Sequence, residues 1–177
     1  MVKHDVINAF KDEHAFLSNF YTRPFEWRGF VHQSGEHAFQ WAKGYHIPDA
    51  RLPDMTAYMD KVRNAPTPSK AKYHGRSVKI DVKEWDDRRI IYMREIVHAK
   101  FSAHADLVGM LINTGASPLV EGNDWGDVFW GKCRVEGKVV GLNLLGTILM
   151  EERGAWLRDK SACPTCQSVV GSDQPKE

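Results

Sequence analysis

Glu36, Gln40 and Lys43 stand at positions i, i+4 and i+7 in the stretch Ser34-Gly-Glu-His-Ala-Phe-Gln-Trp-Ala-Lys43. On a helix that spacing lines up a carboxylate, an amide and an ammonium along one stripe. The stripe supplies an acid or base. Lys43 adds either a fixed cation for an anionic group or, if buried, an amine whose lowered pKa makes it a nucleophile. A solvated charged face has the same pattern, so the stripe alone does not define a site. A second concentration of carboxylates lies downstream, where Glu121, Asp124 and Asp127 crowd into seven residues. Mutual repulsion there raises at least one pKa and favours a proton donor at neutral pH. Gly122 and Gly126 beside them fit a turn instead, with Asp124 and Asp127 as turn and capping residues.

The elements that must carry these groups follow from local signals. Ser34 is an N-cap residue, and no Pro or β-branched residue interrupts the turns after it, so a helix is predicted to about Tyr45. Ala38, Trp41, Ala42 and Tyr45 fall on its other faces and offer an apolar or aromatic contact surface. Upstream, Phe25 to Val31 alternates around Arg28-Gly29, which reads as a tight hairpin. Pro48 and Pro53 make residues 46–53 a connector. Helices are predicted over Met55 to Arg63, from a Ser69 cap through Tyr73, from Asp81 or Val82 to about Phe101, and over Ala105 to Asn113. Beyond them come short strands at Leu119 to Glu121 and Val128 to Trp130, and a hairpin over Val135 to Val139. A final helix runs from Leu144 to Trp156, with Asn143 as its cap. The fold class is α+β, a single helix-rich domain over residues 1–158 with a small β-sheet formed by its two ends. Residues 159–177 read as a flexible polar tail.

Composition narrows the function classes. The 177 residues suit one domain with a sizeable core, and 42% hydrophobic with 27% charged residues is an ordinary soluble balance. A formal net charge of +1 gives no global field toward nucleic acid or a membrane surface, although Lys70, Lys72, Arg76 and Lys79 form a local basic cluster. No apolar run approaches the ~20 residues of a membrane span, and Met1 to Val6 lacks the apolar core of a signal peptide. Three cysteines argue against a disulfide framework, so a cytoplasmic protein with reduced thiols is expected. Cys163-Pro-Thr-Cys166 supplies half of a zinc ribbon, with Cys133 a third ligand only if the tail folds back. No cofactor and no resident metal are expected.

Six pieces of the chain, in order, resemble the NADAR or YbiA-like family. They are Phe16-Leu-Ser-Asn-Phe20, the Glu36 to Lys43 helix, Ala71-Lys-Tyr-His-Gly-Arg76, Trp85, Leu119 to Gly131, and Gly141-Leu-Asn-Leu-Leu-Gly146. The resemblance covers roughly Asp12 to Leu157. It implies an N-glycosidase domain acting on ribose-linked nitrogen, with two substrate classes: ribosylaminopyrimidine phosphates of early riboflavin synthesis, or ADP-ribose joined to guanine in nucleic acid. Cleaving a ribosyl C–N bond develops positive charge at C1 and negative charge on the leaving nitrogen, so a carboxylate and a proton donor are needed. Glu36, Glu121, Asp124 and Asp127 are the candidate carboxylates. Lys43 either binds phosphate with Arg76 and Lys72 or attacks C1 to give an imine. Trp125 and Trp130 would stack on the base, with Trp85 as a third aromatic that helical spacing also fits to the core. Ser18 and Asn19 would hydrogen-bond the base edge or ribose while Phe16, Leu17 and Phe20 anchor their loop. Gln40 completes the helix stripe, and Asn143 either caps the last helix or receives a phosphate there. The expected partner is a phosphorylated ribosyl or ADP-ribosyl small molecule, with nucleic acid only as a modified substrate. A module that binds ADP-ribose or a nucleotide without turnover keeps the same aromatic and cationic residues.

Overall fold

A computed structural model of the protein describes residues 5–49 and 52–162. Thirteen elements are formed by the described residues, and the one at their centre is the Ser34 helix. A 3-10 turn over Asp12–Leu17 leads into strands β1 (Thr22–Trp27) and β2 (Phe30–Ser34). They pair antiparallel with Trp27 opposite Phe30, and Arg28 and Gly29 take φ values of 52° and 78° in the turn. Positive φ at both central residues matches the right-handed twist of the strands. Arg28 bears the unfavourable conformation while its guanidinium pairs with Glu95 at 3.0 Å and lies over Trp27 and Tyr92.

Helix α1 (Gly35–Ala42) follows without a gap, its first turn capped by the Ser34 hydroxyl, which accepts from the His37 N–H. The winding then tightens to 3-10 over Lys43–His46. Every residue of α1 is buried, held between the β1–β2 hairpin, α2 (Leu52–Arg63), α3 (Pro68–Ser77) and the long α4 (Val82–Ser102). A helix buried all round is ordinarily apolar throughout, which makes Glu36 and Gln40 within it costly and therefore informative. Helix α3 starts at Pro68 with Thr67 as its cap and runs to Ser77, where a Ser69 cap and an end at Tyr73 were expected. Pro68 at the first helical position favours the earlier start. Asp81 caps α4 by accepting from the Glu84 N–H, so the helix opens at Val82, one of the two starts expected.

Helices α4, α5 (Ala105–Asn113) and α6 (Leu144–Ala162) pack on one another around Met93, Ile96, Phe101, Leu107, Leu111 and Leu149, each 2% exposed or less. Burying each such side chain contributes about 1.5–3 kcal/mol. α6 continues through Ala162, past the expected domain end at residue 158. Cys163 and Cys166, and with them the zinc-ribbon reading, lie outside the described residues. Cys133 is a buried free thiol.

The sheet content departs from the single sheet expected. A second, three-stranded sheet has β3 (Gly122–Asn123) parallel to β4 (Lys132–Val135), and β4 antiparallel to β5 (Lys138–Val140). Among the described residues the N-terminal segment joins neither sheet and pairs through an isolated bridge of Ile7 to Leu119. Val128 to Trp130 form no strand, because the Asp127 carboxylate accepts from the N–H groups of Phe129 and Trp130 and bends the chain. The architecture is a helix-rich single domain with two small sheets. Among the described residues no helix is long and apolar enough to cross a membrane.

Candidate active site

Where α1 and α3 meet the loop between α5 and α6, a cavity of about 680 Å³ opens. That is within the ~300–1,000 Å³ of small-molecule sites. Glu36, Gln40 and Lys43 line one wall, as their spacing predicted. Glu36 is 6% exposed, and its carboxylate accepts from the Gln40 amide at 2.8 Å. Burial pushes its pKa up, opposed by the Gln40 hydrogen bond and by Lys72, Lys43 and Arg76. The Lys43 amine donates to the Gly75 carbonyl at 2.8 Å and sits 5.6 Å above the Trp85 ring. Burial pushes its pKa down, the Glu36 carboxylate pulls it back, and Arg76 and Lys72 push it down further. The wall therefore holds a carboxyl and an amine displaced toward each other's titration range.

Gly75 is what allows this pairing. A Cβ there would lie 1.8 Å from the Gln40 side-chain oxygen, so only glycine lets α3 come close enough to offer its carbonyl to Lys43. The motif around Arg76 drew attention to its cations, whereas its glycine sets the distance between two walls.

Glu121 and Asp127 form the facing wall. One Glu121 carboxylate oxygen is buried without a hydrogen-bond partner among the described residues. Burial and the neighbouring Asp127 push the Glu121 pKa up to about 7, against Lys72, Lys100 and Lys11. Gly131 leaves room for it, since a Cβ there would meet the Glu121 backbone oxygen at 2.2 Å and its Cγ at 3.1 Å. Asp127 both faces the cavity and holds the turn described above. Asp124, the third carboxylate of the expected cluster, is exposed and does not line the cavity, because the Gly122 to Gly126 turn carries it outward.

Of the expected binding residues, Ser18, Asn19, Arg76, Trp125 and Trp130 line the cavity. Asn19 is fixed by its own carbonyl, which accepts from the Glu36 N–H at 2.8 Å. Phe16 and Leu17 anchor that loop as expected, but Phe20 is 38% exposed and packs on Lys72 instead of the core. Trp125 is 55% exposed at the rim, while Trp130 stands edge-on to Phe39 deeper in. Lys11 and Lys72 add cations that the sequence reading gave no site role or only a supporting one.

Two binding assignments need correcting. Trp85 does not line the cavity; it is 6% exposed and packed on Phe39, His46 and Tyr92, from where it supports Lys43. Asn143 is also off the cavity, and its side chain is consumed by the backbone at Leu119 and Glu121. The Leu144 and Leu145 N–H groups that open α6 donate to the carbonyls of Phe129 and Trp130 and so do not face a ligand. Gly146 serves the same joint, touching the Leu119 carbonyl. Among the described residues no group of three His, Cys, Asp or Glu could hold a metal ion.

Comparison with known proteins agrees with the order of these motifs. Residues 7–156 match the family described as the NADAR domain. The chain is 31% identical over 156 residues to the N-glycosidase YbiA of Shigella flexneri, covering 86% of this chain and 89% of that protein. It is 34% identical over 143 residues to the riboflavin biosynthesis protein VVA0006 of Vibrio vulnificus, covering 80% of this chain and 35% of that larger protein. The NMR structure of Escherichia coli YbiA superposes with a TM-score of 0.74 at 28% identity, covering 92% of this chain and 91% of that one.

Proposed function

The chain belongs to the NADAR family of YbiA-like N-glycosidases, and from that premise we propose that it hydrolyses the bond between ribose C1 and the nitrogen of a ribosylaminopyrimidine phosphate. The observation that carries the reading is one cavity holding a depressed-pKa amine, a buried carboxylate beside it and a facing carboxyl titrating near neutrality.

Lys43 attacks C1 as the free amine, with Glu36 taking up its proton. The C1–N electron pair leaves with the pyrimidine nitrogen, which receives a proton from Glu121. Ring opening of the N-ribosyl lysine, with Glu36 returning its proton to the ring oxygen, gives a protonated imine. Water adds to it, and loss of the amine releases ribose phosphate and regenerates Lys43. Trp130 and Trp125 hold the flat base, and Lys72, Arg76 and Lys11 take the phosphate as charge-assisted partners. Each step moves a proton between groups already lining the cavity.

The exposed basic face of α3 favours a second reading. Lys70 lies over Tyr73 at 4.4 Å beside the mouth, and Lys79 is exposed beyond it. A nucleic-acid strand carrying ADP-ribosylated guanine would find its phosphates a track there. Product mass spectrometry on the two substrates separates the readings. Ribose 5-phosphate with free pyrimidine supports the first, and ADP-ribose with an intact oligonucleotide supports the second. Binding without release of either product marks a non-catalytic module.

A further inference from the structure

One buried cation takes no part in the chemistry above. Lys100 projects from α4 with 2% of its surface exposed, at an i+4 position from Ile96 on the apolar stripe. Its amine donates to the Phe16 carbonyl at 2.6 Å and to the Ser18 carbonyl at 2.9 Å. The rings of Tyr21 and Phe101 lie 5.5 Å away. Removing an ammonium from water this completely is expensive, and two neutral carbonyls replace its hydration only in part.

The segment it grips is the loop carrying Ser18 and Asn19. Asn19 in turn accepts the Glu36 N–H, and its side chain lies so close to Gly35 that an added Cβ would stand 2.8 Å from its oxygen. The path from Lys100 to the Glu36 backbone is therefore one hydrogen bond at Ser18, one residue of backbone and one further hydrogen bond. On its other side the charge acting on Lys100 is that of Glu121. We propose that Lys100 is a positioning residue of the active site, pinning the Phe16 to Asn19 backbone that fixes Glu36, with its charge acting on Glu121. The inference rests on the proposed roles of Glu36 and Glu121.

Burial depresses the Lys100 pKa to about 7, with Glu121 opposing. Glu121 also feels Asp127, Lys72 and Lys11, none of which changes when Lys100 is replaced. Lys100→Met keeps the stem and removes both donors and charge. With ribosylaminopyrimidine phosphate, kcat is expected to fall by roughly 10²-fold, the cost of a displaced catalytic group. KM should change less than kcat, and the alkaline limb of the pH profile should move upward as Glu121 loses a nearby cation. Amide exchange at Glu36 provides a readout independent of turnover, and should accelerate when the loop is released.

Unchanged exchange at Glu36 together with an unmoved limb would overturn the proposal. If wild type turns over no substrate, the functional reading fails while the exchange measurement still decides the tether. If Lys100→Met does not fold, Glu121→Gln takes its place. Loss of the Glu121 carboxylate should lower the Lys100 amine titration seen by NMR, and an unmoved titration would overturn the coupling of Lys100 to Glu121.

Discussion

At the level of single residues the site consists of ionisable groups moved off their ordinary ranges by burial. The direction of each shift fixes a pH dependence. Glu121 must be protonated to serve as the acid, so turnover should fall as pH rises through about 7, and Glu121→Gln should lose about 10²–10⁴-fold in rate together with that limb. A pH–rate profile of both proteins checks this. Glu36 and Lys43 were legible because helical spacing depends only on residue type and order, and the N-cap at Ser34 fixed the register. Lys100 carried a signal too, a charge on the buried stripe of α4, but one lysine among the apolar residues of a long helix is easily read as solvated. Asp124 and Asp127 are alike in sequence. Only the turn, set by Asn123 and Asp127 hydrogen bonds, sends one outward and keeps the other on the cavity.

At the level of elements, the proposed chemistry depends on how closely α3 approaches α1. Gly75→Ala would drive a methyl into Gln40, with an expected loss of about 1–3 kcal/mol in stability and a weakened hold on Lys43. Adding Gln40→Ala should recover stability, measured by thermal unfolding, without restoring turnover, since the bond to Glu36 is also gone. Recovery of both would show that Gln40 does no more than fill space. Helix positions were readable from caps and breakers, and so was the hairpin at Val135 to Val139, whereas the irregular stretch from Leu119 to Gly131 was not. Outside the β3–β5 ladder, backbone groups at Leu119, Glu121, Phe129 and Trp130 are satisfied by Asn143 and Asp127 side chains, and such pairing has no period to detect. The start of α6 in the Gly141 to Gly146 motif read as a cap or a phosphate site, and its Asn143 joins α6 to the acidic loop.

Across the whole molecule, buried ionisable groups make stability depend on pH from two sides. His32 is fully buried among Phe25, Trp27 and Trp41, and burial pushes its pKa down to about 4. The unfolded chain binds that proton near 6.5 and the folded chain does not, so stability should be lost as pH falls from about 6.5 toward about 4. For Glu121 the folded pKa is the higher, so its contribution is present below the unfolded value of 4.5 and is lost as pH rises toward about 7. Thermal unfolding against pH should show His32→Leu less sensitive on the acid side and Glu121→Gln less sensitive on the alkaline side. An unaltered profile in either variant would contradict that assignment. The helix-rich architecture was legible from the sequence, while the split into two small sheets depended on tertiary pairing of β3 with β4 across the Trp125 loop.

Trapping of the enzyme–substrate imine tests the central claim most directly. The protein is incubated with ribosylaminopyrimidine phosphate and cyanoborohydride, digested, and examined by mass spectrometry. The account predicts release of the pyrimidine, progressive loss of activity, and a reduced ribose phosphate adduct on the peptide containing Lys43. Lys43→Ala should show no adduct and a rate lower by roughly 10⁴-fold or more. Undiminished turnover in Lys43→Ala, or wild-type turnover without any adduct under reducing conditions, would contradict it.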